Sequence, residues 1–245
     1  LWRKGLHIKL HNKGIRGNIL NFINNFLTNR TLEVRIGDAK SNIKVLENGT
    51  AQGSVISPVL FLLMIDDLPC GLVDVESALF ADDSSIFRSG KNIKLIENRI
   101  QNALDEICKW CEKWGFKKSI KKTYAVLFTQ CVGTKIELKI NGKNLHFKTS
   151  AKFLGVIFDS KLTWHEHISY ILSKCNKRLN FMRSISGNTW GACKTTMITI
   201  YKALILSVID YGCIAYDSAS DSQLLLLDRL QNKALRIACG SFSTT

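Results

Sequence analysis

Proline is almost missing from this sequence: the 245 residues hold two, Pro58 and Pro69. With sixteen glycines and no compositional repeat, that excludes a collagen-like, proline-rich or low-complexity chain. Long apolar runs are lacking as well. The longest, Val59 to Ile65, falls far short of the ~20 residues a membrane-spanning helix needs. No charged-then-apolar leader opens the chain, so no secretory signal is legible, and an intracellular setting, nucleus or cytoplasm, is expected without a membrane partner. The first residue is Leu rather than Met, which suggests a piece of a longer protein. The most informative absence is local: residues 51–87 contain no Lys or Arg, in a chain that carries 34 of them.

Around that gap the protein is strongly basic, with 34 Lys and Arg against 20 Asp and Glu and a net charge of +14 at pH 7. A balance of this size points to a polyanionic partner, nucleic acid ahead of anionic membrane. Residues 1–50 carry +6, residues 88–150 carry +9 and residues 151–245 carry +5. Residues 51–87 carry −6, from Asp66, Asp67, Asp74, Glu76, Asp82 and Asp83. Carboxylates set against a polyanion repel it unless a cation lies between them. Asp66, Asp67, Asp74 and Glu76 read as solvated loop acids. Lys109, Lys113, Lys117, Lys118, Lys121 and Lys122 form the densest basic run. It reads equally as a solvated helix face and as a phosphate contact, which would give steeply salt-dependent affinity with little sequence choice.

The eight cysteines are expected to be free thiols in a reducing compartment. The single CxxC, Cys108 and Cys111, has no second pair at zinc spacing and falls on the apolar stripe of a helix, so it reads as structural.

The length suits one large domain or two small ones. Apolar spacing predicts helix over 4–28, broken at Gly14 and Gly17. Thr31 to Ile36 alternates as a strand, Gly37-Asp38 turns it, and Ile43 and Val45 return. Ser54 to Leu68 reads as a buried helix with Pro58 in its first turns. Lys94 to Trp114 is an amphipathic helix stopped by Gly115. Thr123 to Phe128 reads as a strand. Ile136 to Ile140 and Leu145 to Phe147 form a hairpin about Asn141-Gly142, the dipeptide a type I′ turn favours. Phe153 to Phe158 reads as one further strand. The last third is helical: Thr163 with Glu166 forms a capping box for a helix to about Arg183, Trp190 to Ile209 forms a second helix, and Ser220 with Gln223 opens a third that ends at Gly240. Trp110, Trp114, Phe147, Phe153 and Phe158 read as core rather than base-stacking residues, and Tyr211 and Tyr216 are open.

Two stretches carry chemistry. Ala78 to Phe87 places Asp82 and Asp83 at the tight turn of a hairpin framed by apolar residues. Adjacent carboxylates are hard oxygen ligands suited to Mg²⁺, which binds through one or two carboxylates plus substrate phosphates. Asp66-Asp67 is the same dipeptide without that frame. The second stretch runs Gly49-Thr50-Ala51-Gln52-Gly53-Ser54-Val55-Ile56-Ser57-Pro58. Its glycines permit close backbone approach by a ligand, and Gln52 can donate and accept hydrogen bonds. Alone, it reads equally as a plain helix-entry loop.

Taken together, Ala51-Gln52-Gly53-Ser54-Val55-Ile56-Ser57-Pro58 and Phe80-Ala81-Asp82-Asp83 closely resemble the reverse transcriptases of non-LTR (LINE-type, jockey-like) retrotransposons. Gly115-Phe116-Lys117 with Ser119 and Lys122-Thr123, Phe153-Leu154-Gly155-Val156 with Asp159, Leu162, Thr163 and Trp164, Asp210-Tyr211-Gly212, and Leu230 to Arg236 resemble further motifs of that family in order. The resemblance implies an α+β right-hand polymerase: a palm of antiparallel sheet and packed helices over 1–160, then a helical thumb and connection region over 161–245. It implies RNA-directed DNA polymerisation with two Mg²⁺ ions, Mn²⁺ being the alternative, and an RNA template, DNA primer and deoxynucleoside triphosphates as partners. Asp82 and Asp83 would be the catalytic metal-binding pair. Gln52, Gly53, Ser54 and Lys122 would line the nucleotide and template pocket, and Leu154 and Gly155 would form the primer grip. Ala51 stands where the family usually has Pro. The family's first palm motif, with its metal-binding Asp, would precede Leu1, so the N-terminal polymerase segment of a parent chain is a further expected partner and this piece alone is expected to be inactive. The alternative is a decayed or domesticated remnant that binds nucleic acid without catalysis.

Overall fold

The computed structural model describes residues 1–131, 133, 136–187 and 190–241. It mixes helices with short two-stranded sheets, an α+β arrangement. The chain divides into two compact units, Leu1–Thr123 with Lys135–Leu145, and Tyr124–Thr134 with His146–Thr245. Among the described residues no helix is long and apolar enough to cross a membrane.

The first unit opens with α1 (Arg3–Asn12) and α2 (Gly17–Leu27), broken where the two glycines fall. Strands β1 (Thr31–Leu32), β2 (Arg35–Ile36), β3 (Ala39–Lys40) and β4 (Lys44–Val45) form one exposed excursion, with β1 paired to β4 and β2 to β3, both antiparallel. Helix α3 (Ile56–Ile65) is shorter and less enclosed than its sequence implies. Ser57, Leu60, Met64 and Ile65 are buried, while Val55, Val59 and Leu62 stay exposed, so an apolar run becomes a one-sided helix. Hairpin β5 (Glu76–Phe80) and β6 (Asp83–Phe87) precedes α4 (Ile93–Trp114), whose Ala103, Leu104, Cys108, Cys111 and Trp114 are buried as the stripe requires.

Leu6, Leu10, Leu20, Ile23, Leu27, Leu60, Met64, Ile65 and Trp114 make this unit's core. Lys9 is buried beside it at 4% exposure. Its Nζ donates to the Met64 carbonyl at 2.6 Å and to Asp67, and lies 4.5 and 4.2 Å from the Trp110 and Trp114 ring centroids. Burial lowers the Lys9 pKa, and the Asp67 carboxylate opposes that shift.

Beyond α4 come β7 (Tyr124–Ala125), β8 (Lys139–Ile140), β9 (Lys143–Asn144) and β10 (His146–Phe147). Strands β8 and β9 turn about Asn141 and Gly142, both at positive φ, as a type I′ turn demands. In the second unit β10 pairs with β7 in parallel, and only two residues of the expected 123–128 strand join that ladder. The expected single strand 153–158 is instead a hairpin, β11 (Ser150–Phe153) and β12 (Val156–Asp159), turning at Leu154-Gly155.

Helices α5 (His165–Ser184), α6 (Lys194–Tyr201), α7 (Ser207–Asp210), α8 (Cys213–Tyr216) and α9 (Asp221–Cys239) complete the unit. The expected 190–209 helix is thus in pieces, with a π-helical stretch over Lys202–Leu206 between α6 and α7. Val156, Trp164, Ile168, Ile171, Cys175, Leu179, Met182, Met197, Tyr201 and Ile205 are among its core residues. The Thr163–Glu166 capping box does not form: Trp164 occupies the cap position, and the Asp159 carboxylate accepts the backbone N–H groups of Lys161, Thr163 and Trp164 at 3.1, 3.0 and 2.7 Å. An ionised acceptor serves three amides at once, where a hydroxyl serves one. Ser220 holds the cap position of α9, also without a side-chain cap bond. All eight cysteines are free, with Cys108, Cys111 and Cys175 buried.

Two outcomes follow from these contacts. Lys9→Ala removes a buried cation from its carbonyl, carboxylate and rings, and should cost about 3 kcal/mol in urea unfolding. At Asp159, burial pushes the carboxyl up, but the backbone amides outweigh it and hold the group below its ordinary value. Its contribution is therefore complete above the ordinary carboxylate pKa and fades as pH falls through the lowered folded-state value. Asp159→Ala should cost about 2 kcal/mol at neutral pH, and the gap to the parent should close on acidification below about pH 4.

Candidate active site

Asp82 and Asp83 are positioned by the ladder of β5 and β6, which runs from Glu76↔Phe87 to Phe80↔Asp83. The closing pair leaves Ala81 and Asp82 as the two central turn residues, with Asp83 as the first residue of β6. Ala81 adopts φ 49°, which lets so short a turn reverse the chain. Ala78, Leu79, Ser85 and Ile86 are half-buried, whereas Phe80, Asp82, Asp83 and Phe87 are exposed. The apolar frame is therefore only partly enclosed: Leu79 packs on the core of the first unit while Phe80 stands in solvent.

The six acids of the island do not share one environment. Asp67 pairs with Lys9 and also accepts the Trp110 indole N–H at 3.0 Å. Asp66 pairs with Lys13, and Asp74 with Arg99. These three are neutralised by partners distant in sequence, not merely solvated as the local pattern implied. Asp82 and Asp83 have no ion pair or side-chain hydrogen bond among the described residues. The dipeptide Asp66-Asp67 is consumed by the fold, and the dipeptide Asp82-Asp83 is left with its charge uncompensated.

The loop before α3 is built by Ser57, whose Oγ donates to the Ala51 carbonyl at 2.7 Å. That bond closes the turn over residues 51–57 and leaves Gln52 and Gly53 exposed. Gly53 has φ 88° and no atom within 4 Å of where a Cβ would stand. The glycine is thus required by conformation and leaves open space beside the backbone. The pinning role of Ser57 was not legible in the sequence, where its one signal is a hydroxyl in the first helical turn.

Lys122 lies exposed in a turn after α4, where its backbone N–H reaches the Ser119 carbonyl at 3.0 Å. Within the basic run, Lys109 pairs with Glu106 at 2.7 Å and Lys118 with Glu112 at 3.6 Å, while Lys113 lies 5.4 Å from the Trp114 ring centroid. Lys117, Lys121 and Lys122 have no ion pair among the described residues. The 52–54 loop, the Asp82-Asp83 turn and Lys122 all belong to the first unit, and α3, Leu79 and Phe116 attach their segments to its core. Leu154 and Gly155 belong to the second unit, at a turn where both have positive φ. Among the described residues no three His, Cys, Asp or Glu side chains gather as a cation site.

Residues 2–158 match the family described as reverse transcriptase (RNA-dependent DNA polymerase). The chain belongs to the reverse transcriptase family. The RNA-directed DNA polymerase from mobile element jockey of Drosophila melanogaster is 29% identical over 229 residues, 89% of this chain and 25% of that protein. Its counterpart in Drosophila funebris is 27% identical over 248 residues, 98% of this chain and 27% of that protein. The probable RNA-directed DNA polymerase from transposon BS of Drosophila melanogaster is 25% identical over 245 residues, 96% of this chain and 27% of that protein. The chain thus spans about a quarter of the length of these relatives. The resemblance to non-LTR retrotransposon polymerases drawn from the motifs is borne out. Reverse transcriptases generally use divalent metal ions, and two exposed, uncompensated carboxylates fit part of a hard-cation ligand set that substrate phosphates and water complete.

The turn makes its own prediction. A non-glycine residue at positive φ costs about 1–2 kcal/mol, and β-branching raises that cost. Ala81→Gly should slow amide exchange across residues 76–87, and Ala81→Val should accelerate it.

Proposed function

We propose that this chain is the palm and thumb-like portion of an RNA-directed DNA polymerase from a mobile element, with the palm over 1–160 and the helical thumb and connection region over 161–245. The observation that supports this most directly is the selective pairing of the acidic island, which leaves Asp82 and Asp83 as adjacent carboxylates at an exposed turn with no ion pair among the described residues. In a protein of net charge +14, an uncompensated acidic pair opposes polyanion binding unless it holds cations.

Asp82 and Asp83 are the residues that would hold Mg²⁺. Bound there, divalent cations would lower the pKa of a primer 3′-hydroxyl and offset charge developing on a leaving pyrophosphate. The chain's own residues bind and orient. Gln52 offers an exposed amide to a template base or incoming nucleotide. Gly53 lets the backbone come close to that ligand, and Ser54 follows it into α3. Lys122 supplies an exposed ammonium for a triphosphate. The Leu154-Gly155 turn supports the primer end. The RNA template, DNA primer and deoxynucleoside triphosphates are the partners this reading names.

The test is primer extension on an RNA template by the polymerase that contains this segment. Asp82→Ala should lower incorporation about a thousandfold, since a metal ligand that supports charge neutralisation is worth several kcal/mol. Full incorporation by Asp82→Ala removes the assignment. Tight nucleic-acid binding with no incorporation by the parent protein favours a domesticated binding remnant.

A further inference from the structure

The Asp210-Tyr211-Gly212 segment is a motif to which the reading above gives no task. In the structure it closes on the β11–β12 turn from within the same unit. The Tyr211 hydroxyl donates to the Leu154 carbonyl at 2.6 Å. A Cβ on Gly155 would stand 3.1 Å from Tyr211 Cε1, and a Cβ on Gly212 would stand 2.9 Å from Val156 Cγ2. Two glycines thus make room for a fit between the turn and the segment, and a tyrosine bonds across it.

The turn needs that support. Leu154 has φ 46° and Gly155 φ 87°. The left-handed conformation is unfavourable for leucine, so the free turn would relax toward other geometries. The Tyr211 bond holds the Leu154 carbonyl in the strained arrangement. Tyr211 is itself held: it follows α7 directly, and Tyr216, buried in the same core, donates its hydroxyl to the Ile209 carbonyl near the end of α7. The adjoining strand is fixed too, because His167 Nδ1 accepts the Ile157 N–H at 3.3 Å. The turn is therefore tied to the helical region rather than free at the tip of its hairpin.

We propose that Tyr211 is a positioning residue for primer binding, holding the Leu154-Gly155 turn in its primer-supporting geometry through the Leu154 carbonyl. This rests on the reading of that turn as the primer support. It predicts an effect on the primer alone, since the one side-chain hydrogen bond of Tyr211 among the described residues goes to the turn that would carry it.

The test compares Tyr211→Phe with the parent polymerase in steady-state primer extension. Phenylalanine keeps the ring beside Gly155 and removes only the hydrogen bond. Because Tyr211 is 57% exposed, folding should survive. The expected result is a roughly fivefold rise in KM for primer–template, the worth of about one net hydrogen bond, with KM for deoxynucleotide unchanged and the urea midpoint lowered by no more than the loss of one such bond. Tyr211→Leu, which also removes the ring, should raise the primer KM further. Gly155→Ala, which distorts the turn directly, separates the two layers of the argument. If Gly155→Ala raises the primer KM and Tyr211→Phe does not, the positioning role is overturned while the reading of the turn stands. If neither changes the primer KM, the reading of the turn falls and the proposal with it. If Tyr211→Phe raises both KM values together and lowers the urea midpoint by more than that, Tyr211 is structural only and the proposal is overturned.

Discussion

One buried ammonium organises the first unit. Lys9 projects from α1 to the Met64 carbonyl at the end of α3, to Asp67 just beyond it, and to two indoles of α4. Taking a lysine out of water is costly, and the lowered pKa of Lys9 registers that cost. The surroundings offset it with an acceptor at the end of α3, an opposite charge just beyond it and two ring faces of α4. An apolar side chain there could slide among neighbours, whereas an ammonium with directed hydrogen bonds fixes where α3 ends relative to α1 and α4. Because α3 is continuous with the 51–57 loop, that constraint reaches the loop exposing Gln52 and Gly53.

The same contact begins to sort the acidic residues. Once Lys9 takes Asp67, Lys13 takes Asp66, and Arg99 takes Asp74, half of the island's formal charge is matched within the unit. What persists is divided along the β5–β6 hairpin, with Asp82 and Asp83 at its turn and Glu76 at its far end, opposite Phe87. A cluster of six carboxylates would bind cations loosely and anywhere. Pairing three with lysines and an arginine leaves two adjacent carboxylates at one turn, and Lys117, Lys121 and Lys122 make no ion pair among the described residues.

Much of this was legible locally, and what was missed is mostly long-range. Helix α4 and its glycine stop, the α1–α2 break, the Asn141-Gly142 turn and the Asp82-Asp83 hairpin each follow from signals within a few residues. The pairing of Lys9 with Asp67 and of Lys13 with Asp66 spans more than fifty residues, so the acids looked solvated. The capping box failed for a local reason instead. Thr163 and Glu166 have the right spacing, but Asp159 arrives first with a stronger acceptor. The Leu154-Gly155 turn was hidden because leucine rarely takes positive φ, and the run from Phe153 to Phe158 therefore looks like one strand. The contact with Tyr211, distant in sequence, supports the turn there.

The two hairpins that carry the proposed site residues are held in opposite ways. The β11–β12 hairpin is tied down by side chains along its length: Tyr124 donates to the Lys152 carbonyl, Tyr211 to that of Leu154, His167 accepts from Ile157, and Asp159 binds the entrance to α5. The β5–β6 hairpin has its own ladder and a half-buried Leu79 packed against the core, while its tip is exposed. Two strands alone are marginal in water, so its tip is among the less restrained parts of the fold. That difference follows from what each must do under the proposed function. A surface that supports the end of a primer works best if its shape is fixed before binding, because fixing it later would cost affinity. A carboxylate pair held by lysine or arginine, as Asp66, Asp67 and Asp74 are held, would have its charge compensated before a cation arrived. The final geometry of Asp82 and Asp83 comes instead from the cations and phosphates they bind.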